Sequence, residues 1–264
     1  TITADSEKKV LDGTALTKNS YTNTALATGD HIQSVTVTGS QTVVGTSNNV
    51  PSAAVIKNAN DENVTASYDI TYVNGTLEVT KKALTITADS DSKVYDGTAL
   101  TNSGYTNTTL ASGDHIQSVT VTGSQTVVGT SNNVPSAAVI KNASDEDVTA
   151  SYDITYANGT LEVTKKAITI TADDKTKVYD NDASTDPALT ATVTGVPTSG
   201  VAPVYTLSRT AGQTVGIYTI TVTAEAASNP NYTITTETGT FSITQRDLTI
   251  KLDTTKVYDG TVFV

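Results

Sequence analysis

Cysteine, tryptophan and methionine are missing from all 264 residues, and phenylalanine occurs only twice. Without cysteine there can be no disulfides, zinc–thiolate centres or internal thioesters, a usage that fits a bacterial extracellular protein. With so few bulky apolar side chains, each core must be thin, built from Val, Ile, Leu and the 12 Tyr. A thin core suits a small sandwich and suits a deep catalytic pocket poorly. Basic residues are also scarce: 16 Lys and Arg stand against 27 Asp and Glu, a formal net charge of −11. Nucleic acid is therefore not an expected partner, because neutralising phosphates needs clustered cations. No apolar run approaches the ~18 residues of a spanning helix, and no signal peptide is evident. The chain opens inside a strand pattern at Thr1 and stops inside a motif at Val264, so it reads as a segment of something longer.

What is present in quantity is threonine, 54 residues or roughly a fifth of the chain. Thr and Val disfavour helices through their branched Cβ and favour pleated, half-exposed surfaces. The chain also repeats itself, the first thing to look for. Residues 1–84 align without a gap on 85–168, and 72 of the 84 positions are identical. A third unit opens at Thr169 and carries Lys177-Val178-Tyr179-Asp180, and a fourth breaks off after Lys256-Val257-Tyr258-Asp259-Gly260-Thr261. The domain reading is two like repeats over 1–82 and 83–166, a different third over 167–246, and the start of another over 247–264. The stretch Gly159-Thr160-Leu161-Glu162-Val163-Thr164-Lys165-Lys166-Ala167-Ile168 closes one unit and opens the next. Rich in β-branched residues and free of an internal Gly or Pro, it predicts a stiff joint rather than a hinge.

Within the second repeat, alternation and turn residues predict about seven strands. They fall at 84–88, 93–95, 116–122, 125–128, 134–140, 152–156 and 160–164. Ser131-Asn132-Asn133 reads as a turn, and Asn158-Gly159 as a tight hairpin. The segment 98–114 carries no clear assignment. In the third unit, strands are expected at 204–208, 214–224, 232–235 and 239–244. Seven short strands in 84 residues suit a sandwich.

Lys93-Val94-Tyr95-Asp96-Gly97-Thr98, followed by Tyr152-Asp153-Ile154 and Gly159-Thr160-Leu161, resembles the YDG-type repeats of large bacterial surface proteins. The third unit resembles their companion, the MBG repeat, through Ala211-Gly212-Gln213-Thr214-Val215-Gly216-Ile217-Tyr218, Asn231-Tyr232-Thr233-Ile234 and Gly239-Thr240-Phe241-Ser242-Ile243-Thr244. The resemblance covers nearly the whole chain. It implies tandem stalk or adhesin modules exported to the bacterial cell surface, anchored through regions outside this segment.

No catalytic, cofactor-binding or metal site is expected. The structural motif is Tyr95, Asp96 and Gly97, with Tyr258, Asp259 and Gly260 as its later copy. Leu11 fills the place of Tyr95 in the first repeat, which suggests packing rather than chemistry. His31 and His115 are one position in two repeats and read as solvated residues. Asp61-Glu62, Asp145-Glu146-Asp147 and Asp173-Asp174 raise structural calcium, which needs six to eight converging oxygens. Asp89-Ser90-Asp91-Ser92-Lys93 begins like such a loop, but Lys93 puts a cation where a ligand belongs. A Lys–Asn isopeptide bond would draw on Lys9, Lys93, Lys177 or Lys256 with Asn74 or Asn158. It needs a buried neutral amine, and a turn role already explains those asparagines.

The expected fold is all-β, an elongated tandem array of small immunoglobulin-like β-sandwiches. The alternative is a β-grasp-like domain, whose helix could come only from 98–112. The expected function is a non-enzymatic stalk holding a distal binding region away from the envelope, as a monomeric rod. The alternative is that the repeats themselves hold a host-surface glycoprotein or glycan.

Overall fold

The structure, a computed structural model, describes residues 1–252 and Gly260. Among these residues the regular structure is strand, broken only by three-residue 3₁₀ turns. The first repeat contributes β1 (Ile2–Ala4), β2 (Glu7–Val10), β3 (Tyr21–Asn23), β4 (His31–Thr38), β5 (Gly45–Lys57), β6 (Tyr72–Val73) and β7 (Gly75–Thr80). The second contributes β8 (Lys82–Ala88), β9 (Asp91–Val94), β10 (Tyr105–Asn107), β11 (His115–Thr122), β12 (Gly129–Lys141), β13 (Tyr152–Ala157) and β14 (Gly159–Thr164). The third contributes β15 (Lys166–Ala172), β16 (Lys175–Val178), β17 (Ala191–Thr194), β18 (Thr206–Arg209), β19 (Gly216–Thr223), β20 (Tyr232–Glu237) and β21 (Gly239–Thr244). Only Lys81 separates β7 from β8, and only Lys165 separates β14 from β15.

Each repeat makes two sheets. In the first they are ordered β3-β1-β6 and β4-β5-β7-β2, and the second and third repeats give the same orders with their own strands. The first edge-to-edge partners run parallel: β1 lies beside β6 and β2 beside β7. The chain therefore changes sheet twice at one level, between β1 and β2 through Asp5-Ser6, and between β6 and β7 through Asn74. This overturns the hairpin expected at Asn158-Gly159: β13 and β14 lie in different sheets. Nor does Gly159 have the positive φ of a hairpin turn. It is there because a Cβ would sit 2.4 Å from the Asp89 carbonyl oxygen and 2.5 Å from that of Ala88.

Two further expectations fail on β5 and β12. Ser131-Asn132-Asn133 is not a turn but part of the 13-residue strand β12, and 125–128 is no strand, although Gln125 bridges to Leu100. The β-grasp alternative also fails, since 98–112 holds β10 and no helix. The long strand is not regular: register shifts interrupt its pairing with β11, and Ala137 sits at φ +49, as Ala53 does at φ +47. The bulge turns the next N–H out of the ladder. Tyr156 Oη takes it, accepting from Ala138 N at 2.8 Å, and Tyr72 does the same for Ala54.

The chain divides into two compact units whose borders cut across the repeats. Unit 1 holds 1–92, 100–125 and 130–162; unit 2 holds 93–99, 126–129 and the chain from 163 onward. In unit 1, Leu11, Leu16, Leu77 and Val79 of the first repeat pack in the same cluster as Leu84, Ile86, Ala111, Ala138, Ile140 and Tyr152 of the second. In unit 2, Ile170 and Ala172 of one sheet meet Ile220, Val222, Phe241 and Ile243 of the other. Alternation places these side chains inward: β14 buries Leu161 and Val163 and exposes Thr160 and Glu162. Each fully buried Leu, Ile or Phe contributes about 1.5–3 kcal/mol, so a few per sheet carry the fold.

Candidate functional site

The recurring Lys-x-x-Asp-Gly-Thr loop is built by its own residues. Asp96 Oδ1 accepts from Thr98 N (2.9 Å), Thr98 Oγ1 (2.8 Å) and Lys93 Nζ (2.8 Å), an Asx turn closed by a cation. Gly97 sits at φ +81, where a side chain is strained. In the first repeat Asp12 takes Thr14 N, Thr14 Oγ1 and Lys9 Nζ at 2.7–2.8 Å, with Gly13 at φ +86. The third repeat departs from the Gly, and Asn181 holds the left-handed place at φ +58, which Asn tolerates better than most residues. There Asp180 accepts from Lys177 Nζ (2.7 Å), Thr185 Oγ1 and Asp182 N.

These bonds all favour the carboxylate. The lysine, followed by the threonine donors, holds Asp12 and Asp96 well below the usual carboxylate range. Lys177, then Thr185 and Asp182 N, lower Asp180 to about 2. A depressed pKa gives stability that is complete above the unfolded value and is lost as pH falls through the folded one. The unfolding midpoint should therefore stay flat down to about pH 5 and drop between about pH 4 and 2. Scanning calorimetry across that range checks it, and Asp180→Asn should flatten part of the acid slope.

The Asp and Thr of the loop are exposed, but the residue before the Asp is buried against a neighbour. In unit 1 the first repeat's loop seats on the second repeat: Leu11 is buried, and Ser112 N donates to Asp12 O at 3.0 Å. A Cβ on Gly13 would lie 2.3 Å from Ser112 O. The socket is built on Tyr152, whose Oη donates to Asp114 Oδ2 (2.6 Å) and accepts from Ala111 N (2.9 Å). Burial, then the Asp114 bond, pushes that phenol up to about 12.

Unit 2 repeats the arrangement with the loop 93–99. The Tyr95 ring meets Tyr232 edge to face, centroids 5.6 Å apart and planes at 86°. Tyr95 Oη accepts from Val201 N at 3.2 Å, and Tyr232 Oη donates to Val201 O. A Cβ on Gly97 would lie 1.9 Å from Ser199 O. So Tyr95, Asp96 and Gly97 are brought together as a docking loop, with Asp96 and Gly97 shaping it and Tyr95 inserting. Tyr258 and Asp259 lie outside the described residues; Gly260 has φ +77, like Gly97. Sequence reasoning missed the socket tyrosines, although Tyr68 and Tyr152 recur one period apart, ahead of Asp-Ile in both repeats.

The third repeat buries a charged group that reading by motif did not find. Lys177 Nζ also donates to Asp186 Oδ1 (2.9 Å), and Arg209 pairs with Asp186 Oδ2 while lying over the Phe241 ring at 4.5 Å. Burial alone would raise Asp186, but Arg209, Lys177 and Gln213 outweigh it and hold it low. This is an ion-paired lysine, not the neutral amine an isopeptide bond needs.

The remaining candidates have local roles. His31 and His115 open β4 and β11 on exposed positions opposite Lys57 and Lys141. Asp174 Oδ1 caps Thr240 N at 2.7 Å, as Ser90 Oγ caps Thr160 N at 2.9 Å. Asp173 accepts from Thr190 and Thr192, and Asp147 from Thr149 N. Asp61 and Asp145 pair with Lys57 and Lys141 at 3.4 and 3.6 Å. Among the described residues, no three acidic or histidine side chains converge as a metal site would require, and no helix is long and apolar enough to cross a membrane.

The chain is thus a tandem array of seven-stranded sandwiches in which an Asp-Gly loop of one repeat seats on the next. Residues 168–242 match the family model described as MBG domain (YGX type), so the third repeat is of MBG type, as its motifs indicate. That match supports a repeat region of a bacterial surface protein. No curated protein matches the chain. Among solved structures, the crystal structure of Drosophila N-cadherin EC1-4 is similar at 9% identity and a TM-score of 0.28, covering 93% of this chain and 75% of that one.

Proposed function

We propose that the chain is a non-enzymatic spacer segment of a bacterial surface adhesin, lengthened by copying a unit that locks onto its successor. The carrying observation is the core shared by the first two repeats, with Leu11 buried beside residues of the second. A junction that hides apolar surface resists bending in a way a polar linker does not. Acidic surfaces then oppose sideways association of neighbouring stalks.

Excising one 84-residue repeat tests the proposal. The maximum dimension from small-angle scattering should fall by about one repeat length, with reach lost and affinity of any attached tip domain unchanged. A loss of binding capacity for host glycan or mucin in proportion to the repeats removed would favour the repeats as the binding modules instead.

A further inference from the structure

The two junctions are not interchangeable, and the difference lies in one N–H. Both sockets close a turn with an internal amide, Asp114 N donating to Ala111 O at 3.1 Å and Gly200 N to Pro197 O at 2.9 Å. In the first, the turn carries a carboxylate held by Tyr152 Oη. In the second, Val201, one residue past the turn, donates its N–H outward to Tyr95 Oη. At the first junction the amides of 111, 112 and 114 are taken, Ala111 N by Tyr152 Oη, Ser112 N by Asp12 O and Asp114 N by Ala111 O. Leucine there asks for no partner. The exchange Leu11/Tyr95 is one of the 12 differences between otherwise near-identical repeats, and it falls where the following neighbour changes from like repeat to MBG-type repeat.

We infer that the residue before Asp-Gly is a neighbour-matching position: leucine fits a socket whose amides are already paired, and tyrosine fits one that leaves an N–H past its turn facing the loop. The rule reads repeat order from a single side chain, and it holds whether or not the array serves as a spacer. The first repeat carries the leucine-type socket, since Asp30 N donates to Ala27 O at 3.0 Å and Tyr68 Oη to Asp30 Oδ2 at 2.6 Å.

The test uses the full chain with Tyr95→Phe and Leu11→Tyr. Tyr95→Phe keeps the ring and removes only the acceptor, so the Val201 amide should exchange with deuterium roughly fivefold faster, with other strand amides unmoved. Leu11→Tyr should lower the unfolding midpoint by roughly 2–4 °C, because the larger ring must enter a buried site whose amides are already paired. Unchanged exchange at Val201 in Tyr95→Phe, or a Leu11→Tyr chain that melts at or above the native midpoint, overturns the rule.

Discussion

Gly159→Ala is expected to destabilise the second repeat by about 2–4 kcal/mol, a large effect for one methyl group. Gly159 opens β14 at the level where β8 leaves one sheet for the other. Its Cβ would stand 2.4 Å from Asp89 O and 2.5 Å from Ala88 O. Both obstacles are backbone, so no side chain can swing aside. The two strands would have to separate, yet β8 and β13 are bound in register from Lys82–Tyr152 to Thr87–Ala157. The bond from Thr160 N to Ser90 Oγ (2.9 Å) would stretch with them. Gly75→Ala should behave alike, since its Cβ meets Asp5 O at 2.4 Å. Urea unfolding of each variant gives the measurement, read as a fall in midpoint at constant slope. A loss below about 0.5 kcal/mol would mean the corner is far softer than its geometry implies.

Much of the fold was legible because the residues that carry it obey a period of two. Leu161 and Val163, or Phe241 and Ile243, alternate with exposed partners and lie where alternation puts them. What was not legible depends on contacts distant in sequence. Asn158-Gly159 has the composition of a hairpin turn, and only the presence of Asp89 O, 70 positions earlier, makes the glycine a close-approach residue. Ser131-Asn132-Asn133 has turn composition too, yet Asn133 lies fully buried inside β12. Local preference lost there to tertiary bonding. The Asp-Gly loop was found as a motif, but its role was hidden because the socket belongs to the next repeat.

The differences between the first two repeats follow the same logic of paired contacts. Lys18 Nζ binds Glu7 Oε2 at 2.9 Å, and both residues change together, to Asn102 and Asp91. Ser20 Oγ donates to Asp5 Oδ2, and its counterpart is Gly104, where a Cβ would sit 2.3 Å from Asp89 Oδ2. Most changes therefore fall on exposed or half-exposed positions, the buried exchanges being Leu11/Tyr95 at the junction and the apolar swap Leu84/Ile168, while the buried Asn49 and Asn133 stay the same.

Asn133→Ala is the second large prediction, a loss of about 2–4 kcal/mol. Asn133 Nδ2 donates to two backbone carbonyls, Asp89 O and Asn102 O, each at 2.9 Å. It thereby ties the sheet-changing corner and the loop before β10 to the middle strand β12. Removing it leaves both carbonyls without that donor, at about 1–3 kcal/mol each. The gain is smaller: Asn133 Oδ1 is itself buried without a partner, so truncation relieves one unsatisfied acceptor. Asn133→Asp should be worse than alanine, because it points an anion at two acceptors and supplies no donor. Asp89 O is also the atom that Gly159 must approach, so the two corner variants share one group. Their double mutant should lose less than the sum of the singles by more than about 0.5 kcal/mol. Strict additivity in urea unfolding would show that the clamp and the close approach act on separate parts of the repeat.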